Sequence, residues 1–286
     1  MTTRQSPTLR RRRLSALLRH YRSQHFPTIA EVEKRLGWPN AKLSKMERGD
    51  WLRPNLRDMA DLLDLYRVTD ARQREEVLIL AKQGRERGWW HPYREMLAQQ
   101  YTTYIGLEAE AGGLLWYEPW MIHGLLQTAE YARHVIRSGP GEITDDEIDQ
   151  RVTVRMERQK LLTGSDPLRL WAILDEAGLH RMTGGADVMR AQLEHLVELA
   201  RDLPKLTIQV LPFSAGAHPG TSAFTVLEFR EPLDLDAVYV ENVAGELLIE
   251  DPKDVGPFKR AFQHLQGSAL SERDSLALIA ATAAAL

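Results

Sequence analysis

Six residues between positions 40 and 48 carry the kinds of side chain that proteins use to bind DNA. They comprise an amide, a hydroxyl, a small residue and three cations: Asn40, Ala41, Lys42, Ser44, Lys45 and Arg48. Amides pair with the edges of bases, and cations neutralise phosphates. In a helix through this stretch, Leu43 and Met46 face inward and leave the six residues on the surface. The pattern is typical of a helix that enters a major groove.

The preceding residues predict the other half of a helix-turn-helix motif. Thr28 is a good helix cap, Val32 and Leu36 lie four positions apart on one helix face, and Gly37 permits a tight turn. We therefore predict a short helix that ends before Gly37 and a second helix that begins near Asn40. The alternative is a helix-turn-helix scaffold that contacts only proteins.

Charge is distributed unevenly along the 286 residues. Residues 1–53 contain 13 Lys or Arg and 4 Asp or Glu, a net charge of +9, whereas the rest of the chain contains 24 and 36, a net charge of −12. A basic N-terminal module on an acidic body attracts a polyanion to one place. For the run Arg10 to Arg13 alone, a solvated basic tail is an equally good interpretation.

Catalytic and metal-binding patterns are missing from the sequence. The nine histidines are scattered, no glycine-rich phosphate loop precedes a helix, and no cysteine is present for thiolate chemistry or metal ligation. There is also no run of about 18 apolar residues and no signal-peptide pattern. We expect a cytoplasmic protein that is not an enzyme, contacts no membrane and holds no cofactor or metal.

The length and the hydrophobic periodicity predict two domains. We expect a disordered tail over 1–8, a five-helix domain over 9–84, a linker over 85–100 and a larger α+β domain over 101–286 with an antiparallel or mixed sheet. In the larger domain, helices are predicted near 142–163, 187–200 and 255–266, and strands at 168–174, 206–211, 223–229, 237–241 and 247–250.

Residues 9–82 resemble the Cro/C1 (XRE) type of repressor domain. The resemblance is carried by L-R-H-Y-R, E-V-E-K-R-L-G-W and K-L-S-K-M-E-R-G. It implies that Asn40, Ala41 and Lys45 reach base edges, that Lys42 and Arg48 meet phosphates, and that Arg22 and Glu47 form a structural pair. Glu33 departs from the pattern, since the family usually has a small Ala there, and a buried Glu is costly unless it leans out or pairs.

The segment from Tyr101 to Arg137 resembles the actinomycete WhiJ-like regulators. It contains Y-I-G-L-E-A-E-A, then Y-E-P and G-L-L-Q-T-A-E-Y-A. The resemblance implies a domain that senses a signal or binds a partner, and such regulators often have a small acidic companion in an arrangement similar to toxin–antitoxin pairs.

Aromatic and ionisable residues in and beyond this segment are candidates for an effector or partner site. They are Trp116, Tyr117, Glu118, Trp120, His123 and, in the loop 212–221, His218. Aromatic residues at such spacing are more often buried in a core, and a loop histidine is more often simply at the surface.

The sequence thus predicts a regulator that binds double-stranded DNA through its N-terminal domain. The C-terminal domain is expected to form a homodimer and to receive a signal or a small partner protein. The alternative is an antitoxin-like interaction protein that holds a small companion, with DNA binding secondary or autoregulatory.

Overall fold

The chain divides into two units, and the division falls between Pro92 and Tyr93, inside the predicted linker at 85–100. The computed structural model describes residues 6–51, 53–139, 141–231, 234–242 and 245–286. Residues 1–5 of the predicted tail lie outside the described residues. The two units are described separately below.

Unit 1 contains five helices in its described part, as the sequence predicts. They are α1 (Pro7–His25), α2 (Ile29–Leu36), α3 (Lys42–Arg48), α4 (Leu56–Leu65) and α5 (Ala71–Gln83). The prediction that α3 begins near Asn40 is wrong by two residues. Ala41 has a φ of 68°, and this left-handed conformation cannot continue into a right-handed helix.

The prediction of a disordered tail is also wrong for residues 6–8. The Ser6 hydroxyl accepts a hydrogen bond from the Thr8 N–H at 3.2 Å, and Pro7 occupies the first helical position. Proline is well suited to that position, because its fixed φ is helical and its missing N–H would have no partner within the helix. Helix α1 therefore starts before the first apolar residue of its periodic stripe.

The core of unit 1 is formed by the apolar stripes of all five helices. Leu14 and Leu18 of α1 are fully buried with Val32 of α2, Leu43 of α3 and Tyr66 at the end of α4. Burying such side chains contributes roughly 1.5–3 kcal/mol each before the entropy cost of ordering them. The short helices α2 and α3 are too short to be stable alone and depend on this core.

Unit 2 is built on a six-stranded mixed sheet, which agrees with the predicted fold class. The strands are β1 (Gly113–Glu118), β2 (Arg169–Asp175), β3 (Leu206–Leu211), β4 (Phe224–Glu228), β5 (Ala237–Asn242) and β6 (Gly245–Ile249). Their order across the sheet is β3-β2-β1-β4-β5-β6. Strands β1, β2 and β3 are parallel, and β4, β5 and β6 continue the sheet in antiparallel fashion.

Seven helices accompany the sheet in the described part of unit 2. They are α6 (Gln99–Glu108), α7 (Ala129–Arg137), α8 (Asp145–Thr163), α9 (Glu176–His180), α10 (Ala186–Asp202), α11 (Pro252–Ser268) and α12 (Glu272–Ala284). The three predicted helices and five predicted strands are present with ends shifted by up to three residues. Strand β1 and helices α6, α7, α9 and α12 were not predicted.

Helix α11 covers one face of the sheet, and α12 covers one of its edges. Tyr117 of β1 and Ile173 of β2 lie on the face that packs against Phe262 and Leu265 of α11. One edge of the sheet is also covered, because Ser275 of α12 accepts a hydrogen bond from the N–H of Val210 in β3 at 2.9 Å. Strand β6 forms the other edge.

None of the helices in the described ranges is both long and apolar enough to cross a bilayer. The same ranges contain no group of three or more His, Asp or Glu side chains arranged to hold a metal ion.

Candidate functional site

The turn between α2 and α3 is fixed by local hydrogen bonds. The Thr28 hydroxyl accepts from the Glu31 N–H at 3.3 Å and caps α2, as predicted. Gly37 ends α2 with a φ of 64°, a left-handed conformation that favours glycine. The N–H of Trp38 then donates to the Glu33 carbonyl at 2.8 Å. The chain therefore leaves α2 in one defined direction.

Glu33 caps the N-terminus of α3 from the neighbouring helix. Its carboxylate accepts from the Leu43 N–H at 2.8 Å and from the Ala41 N–H at 3.2 Å. Ala41 is the capping residue by position, but its side chain has no hydrogen-bond acceptor. The Glu33 side chain is buried, and these bonds supply the pairing that a buried carboxylate needs. A negative charge at the helix N-terminus also interacts favourably with the helix dipole.

The opposite end of α3 is attached to α1 by the ion pair that the family resemblance implies. The Arg22 guanidinium binds Glu47 through two bonds, Nε to Oε1 at 2.6 Å and Nη2 to Oε2 at 3.0 Å. The hydrogen bond to Glu47 raises the pKa of Arg22, so the guanidinium stays charged. The Ser15 hydroxyl adds a bond to the Met46 carbonyl at 2.6 Å. Both ends of α3 are thus held by side chains from other helices.

The exposed surface of this helix and its turn carries most of the predicted DNA contacts. Asn40, Ala41, Lys45 and Arg48 are exposed, and Ser44 is half-buried. The Arg48 guanidinium donates to the Ser44 hydroxyl at 2.8 Å and to Asp50 at 2.9 Å. That ion pair is exposed, and such pairs contribute little, so exchanging Asp50 for a phosphate costs little. The Lys45 ammonium has no ion pair among the described residues.

Lys42 is in a different situation from the other cations. Its ammonium lies 2.8 Å from an Asp58 carboxylate oxygen and 3.9 Å from the centre of the Trp38 ring. The charge is therefore already paired within unit 1, by an ion pair and a cation–π contact. A phosphate contact by Lys42 stays a prediction, but it would require breaking these contacts, whereas one by Lys45 would not.

The candidate residues of unit 2 do not form a single site. Side chains alternate along a strand, so Trp116 and Glu118 of β1 face one side of the sheet and Tyr117 faces the other. Trp120 lies beyond the strand, 54% exposed, with the Arg181 guanidinium 5.3 Å from its ring centre. These candidates are therefore spread over separate places in unit 2, and an effector or partner site at any of them stays a prediction.

Tyr117 and His218 meet on the α11 face of the sheet. Their ring centres are 5.9 Å apart, and the Tyr117 hydroxyl donates to the Gly220 carbonyl at 3.3 Å. His218 Nδ1 accepts from the Gly220 N–H at 3.2 Å, and its Nε2 is 3.8 Å from an Asp175 oxygen. These contacts attach the loop 212–221 to the ends of β1 and β2, which is a structural role.

A cavity of about 160 Å³ lies on the opposite face of the sheet and brings together three of the predicted residues. Trp116, Glu118 and His123 line it, with further residues from α6, α8, β4 and β5: Tyr101, Tyr104, Arg155, Arg158, Thr225, Tyr239 and Glu241. The sequence interpretation missed the arginines of α8. They come 32 or more positions after His123, and no periodic pattern indicates that α8 packs beside β1.

The protonation states in this cavity follow from burial. Burial raises the pKa of Glu118 to about 7, helped by the Glu241 charge and opposed by the N–H groups of Trp120 and Met121. Burial and the nearby arginines lower the pKa of His123 well below its ordinary value, so the ring is neutral. Its Nδ1 accepts from the Leu125 N–H at 3.3 Å, which places the ring proton on Nε2.

Comparison with protein families gives two matches along the chain. A family model described as "Helix-turn-helix domain" matches residues 13–77. A second model, described as "Domain of unknown function (DUF5753)", matches residues 101–281. No curated protein and no solved structure matches the chain. The first match covers most of α1 to α5, and the second covers the whole sheet.

The capping role of Glu33 gives the first testable prediction. Glu33→Ala should lower the free energy of unfolding by about 1–2 kcal/mol, because two N–H groups at the start of α3 lose their acceptor. Urea unfolding followed by tryptophan fluorescence measures the change. Glu31→Ala, at a half-buried position of the same helix, is the control and should cost about 0.5 kcal/mol or less. Equal effects of the two substitutions would contradict the cap.

The second prediction concerns pH and Glu118. The pKa of this carboxyl is about 7 in the folded chain and 4.5 in the unfolded chain, so the folded state loses stability as the pH rises from about 4.5 to about 7, and the loss is complete above 7. Glu118→Gln should therefore be more stable than the unmodified protein at pH 8.5, by up to about 3 kcal/mol, and this advantage should vanish below about pH 4.5. Urea unfolding at several pH values tests this, with the exposed Glu194→Gln of α10 as control. The same pH profile in both variants would contradict the prediction.

Proposed function

We propose that this chain, which belongs to the DUF5753 family, is a sequence-specific DNA-binding transcriptional regulator. The observation that carries the proposal is the helix α3, held at one end by Glu33 and at the other by Arg22, with Asn40, Lys45 and Arg48 exposed beside it. A recognition helix must keep a fixed orientation to its domain if it is to read a sequence. The net charge of +9 over residues 1–53 supports the same assignment.

In this proposal the two kinds of contact have different roles. Arg48 binds a phosphate, as the family resemblance implies. We assign Lys45 to a phosphate as well, in place of the base-edge contact that the resemblance implies, because its ammonium has no ion pair among the described residues and Lys42 is already paired with Asp58. Phosphate contacts give affinity without sequence information and release counterions. Asn40 precedes the helix in the turn, where its amide pairs with the edge of an adenine. Such a regulator acts in the cytoplasm, on double-stranded DNA, and carries out no catalytic step.

The finer parts of the proposal concern unit 2. We assign it, as in the WhiJ-like regulators, to dimerisation and to receiving a signal. A single helix-turn-helix unit buries too little surface for tight specific binding, so these proteins usually place two recognition helices about 34 Å apart. The edge strand β6 supports a two-fold contact, since Leu247 at its centre is 53% exposed.

The second candidate function is an antitoxin-like protein that holds a small companion. An exposed apolar surface on unit 2 favours it. Trp120 packs under Arg181, and the preceding residue, His180, stacks on Phe213 with ring centres 6.1 Å apart. Trp120 and Phe213 are 54% and 62% exposed. Exposed apolar patches of this kind are typical of protein-binding surfaces. A gel-shift assay with and without the product of a neighbouring reading frame distinguishes the two functions.

The third prediction tests the DNA contacts on an operator selected from random DNA. Lys45→Ala and Arg48→Ala should weaken binding to all sequences alike, and each should reduce the slope of log K against log salt by about 0.9. Asn40→Ala should instead reduce the preference for the operator over random DNA by about 1–3 kcal/mol. Fluorescence anisotropy across a salt series measures both quantities.

The control for these variants is Arg72→Ala, an exposed arginine at the start of α5. The substitution removes the same charge at a position far from α3 in the sequence, and it should leave the salt slope unchanged. If Lys45→Ala and Arg48→Ala behave like this control, α3 is not the DNA-binding element.

The fourth prediction concerns the dimer. Light scattering should give the full chain twice the mass of one copy, and Leu247→Lys should give a single copy, because a charge in the centre of a β6 contact has no partner. Ile79→Lys replaces a similarly exposed apolar residue of α5 and should leave the dimer intact. A dimer that survives Leu247→Lys would exclude β6 as the interface.

A further inference from the structure

The cavity beside Trp116 is large enough for a small organic molecule. Its volume of about 160 Å³ is similar to that of protein cavities of about 150 Å³ that bind benzene. Trp116 forms an apolar wall, with its ring centre 4.9 Å from that of His123, and Tyr104 stacks on Tyr239 at 4.2 Å. Unlike a purely apolar cavity, this one also carries ionisable groups of both signs.

The sheet side of the cavity is acidic. Glu118 at the end of β1 is buried, and the exposed Glu241 of β5 stands at the rim. Neither carboxylate has a Lys, Arg or His partner within 4 Å in the described ranges. Glu118 is held only by backbone groups, including the Trp120 N–H at 3.1 Å. The Glu241 charge contributes to the raised pKa of Glu118, which means that the two carboxylates repel each other in the absence of a cation.

The helix side of the cavity is basic, and its two arginines are not equivalent. Arg158 is neutralised by Glu108, which it binds through two bonds at 2.8 and 2.7 Å, and it also contacts the Tyr101 hydroxyl. Arg155, one helical turn earlier, donates to the neutral Gln127 side chain at 2.7 Å. No carboxylate lies within 4 Å of its guanidinium in the part of the chain that the structure describes. One positive charge on this wall is therefore uncompensated.

We propose that this cavity binds a small zwitterionic molecule of the amino-acid class. Its ammonium group binds Glu118 and Glu241, its carboxylate binds the Arg155 guanidinium, and its carbon chain packs against Trp116. An unpaired charge on a buried or half-buried side chain is unfavourable, as for Glu118 and Arg155, and one ligand with both charges compensates both ends at once. A ligand with a single charge leaves the other end unpaired, so the arrangement selects against simple amines and simple acids.

This inference deepens the proposed function. Its last step, the use of the bound molecule as a signal, rests on DNA binding by the protein. The binding of the small molecule depends on unit 2 alone. Titration calorimetry of the full chain therefore tests it without DNA, and DNA binding is measured in a separate assay.

The probes are four molecules with five-carbon chains. L-norvaline and 5-aminopentanoate are isomers that carry both charges at different separations, whereas pentanoate and pentylamine carry one charge each. We expect one of the two isomers to bind at least about tenfold more tightly than either single-charge probe. The proposal is wrong if none of the four probes binds at about 10 mM. It is also wrong if pentanoate or pentylamine binds as tightly as the better of the two zwitterions.

Variants then locate the bound molecule. Arg155→Gln and Glu118→Gln should each weaken the better zwitterion by about tenfold or more, and Arg155→Gln should leave pentylamine unaffected. Arg151→Gln replaces an exposed arginine on the same helix and is the matched control. Circular dichroism verifies that each variant is folded, and Arg155→Lys, which keeps the charge, should restore part of the affinity. Equal affinity in Arg155→Gln and Arg151→Gln would overturn the assignment.

The link to regulation is tested last, by DNA anisotropy with and without the zwitterion. A change in DNA affinity supports its role as a signal. If the zwitterion binds and DNA affinity stays the same, the cavity assignment stands and the role as a signal is wrong. If the protein does not bind DNA at all, the proposed function fails while the calorimetry still decides the cavity.

Discussion

The carboxylate of Glu33 is the interaction on which the recognition helix depends. Helix α3 has only seven residues, and the residue at its N-cap position has a methyl side chain. A helix of that length loses much of its stability if its first N–H groups are unpaired, because those groups have no partner inside the helix. Glu33 supplies the acceptor from α2, and Arg22 with Glu47 holds the other end. The exposed residues of α3 thus have a fixed orientation without a capping side chain of their own.

In unit 2, the alternation of side chains along β1 decides which residues can act together. Trp116 and Glu118 face α6 and α8, whereas Tyr117 faces α11. The buried pair of Glu108 and Arg158 joins α6 to α8 on the first of these faces. Glu108 neutralises Arg158, whereas Arg155 has no carboxylate partner among the described residues. The pair therefore also determines which positive charge of α8 remains on the wall of the cavity.

The two units therefore divide the chemistry between them. Unit 1 presents cations on a helix that is held at both ends and an amide in the turn before it, which suits a polyanion with readable base edges. Unit 2 encloses opposite charges in a small cavity, which suits a small molecule. In the proposed regulator, the operator and the small molecule would bind to different residues, and two distinct sites are what allosteric coupling requires.

The sequence by itself determined the helix-turn-helix and most helices and strands, because each rests on local spacing of apolar and capping residues. The pair of Arg22 with Glu47 was expected only from the family resemblance, since the two residues lie 25 positions apart in different helices. The sequence also drew attention to Glu33 as a departure from the usual small residue. Only the tertiary structure decided what Glu33 binds, that Lys42 is already paired with Asp58, and that Arg155 shares a cavity with Trp116. The physical reason is that hydrogen bonds, ion pairs and cavities between elements depend on how those elements pack, and periodicity along the chain describes one element at a time.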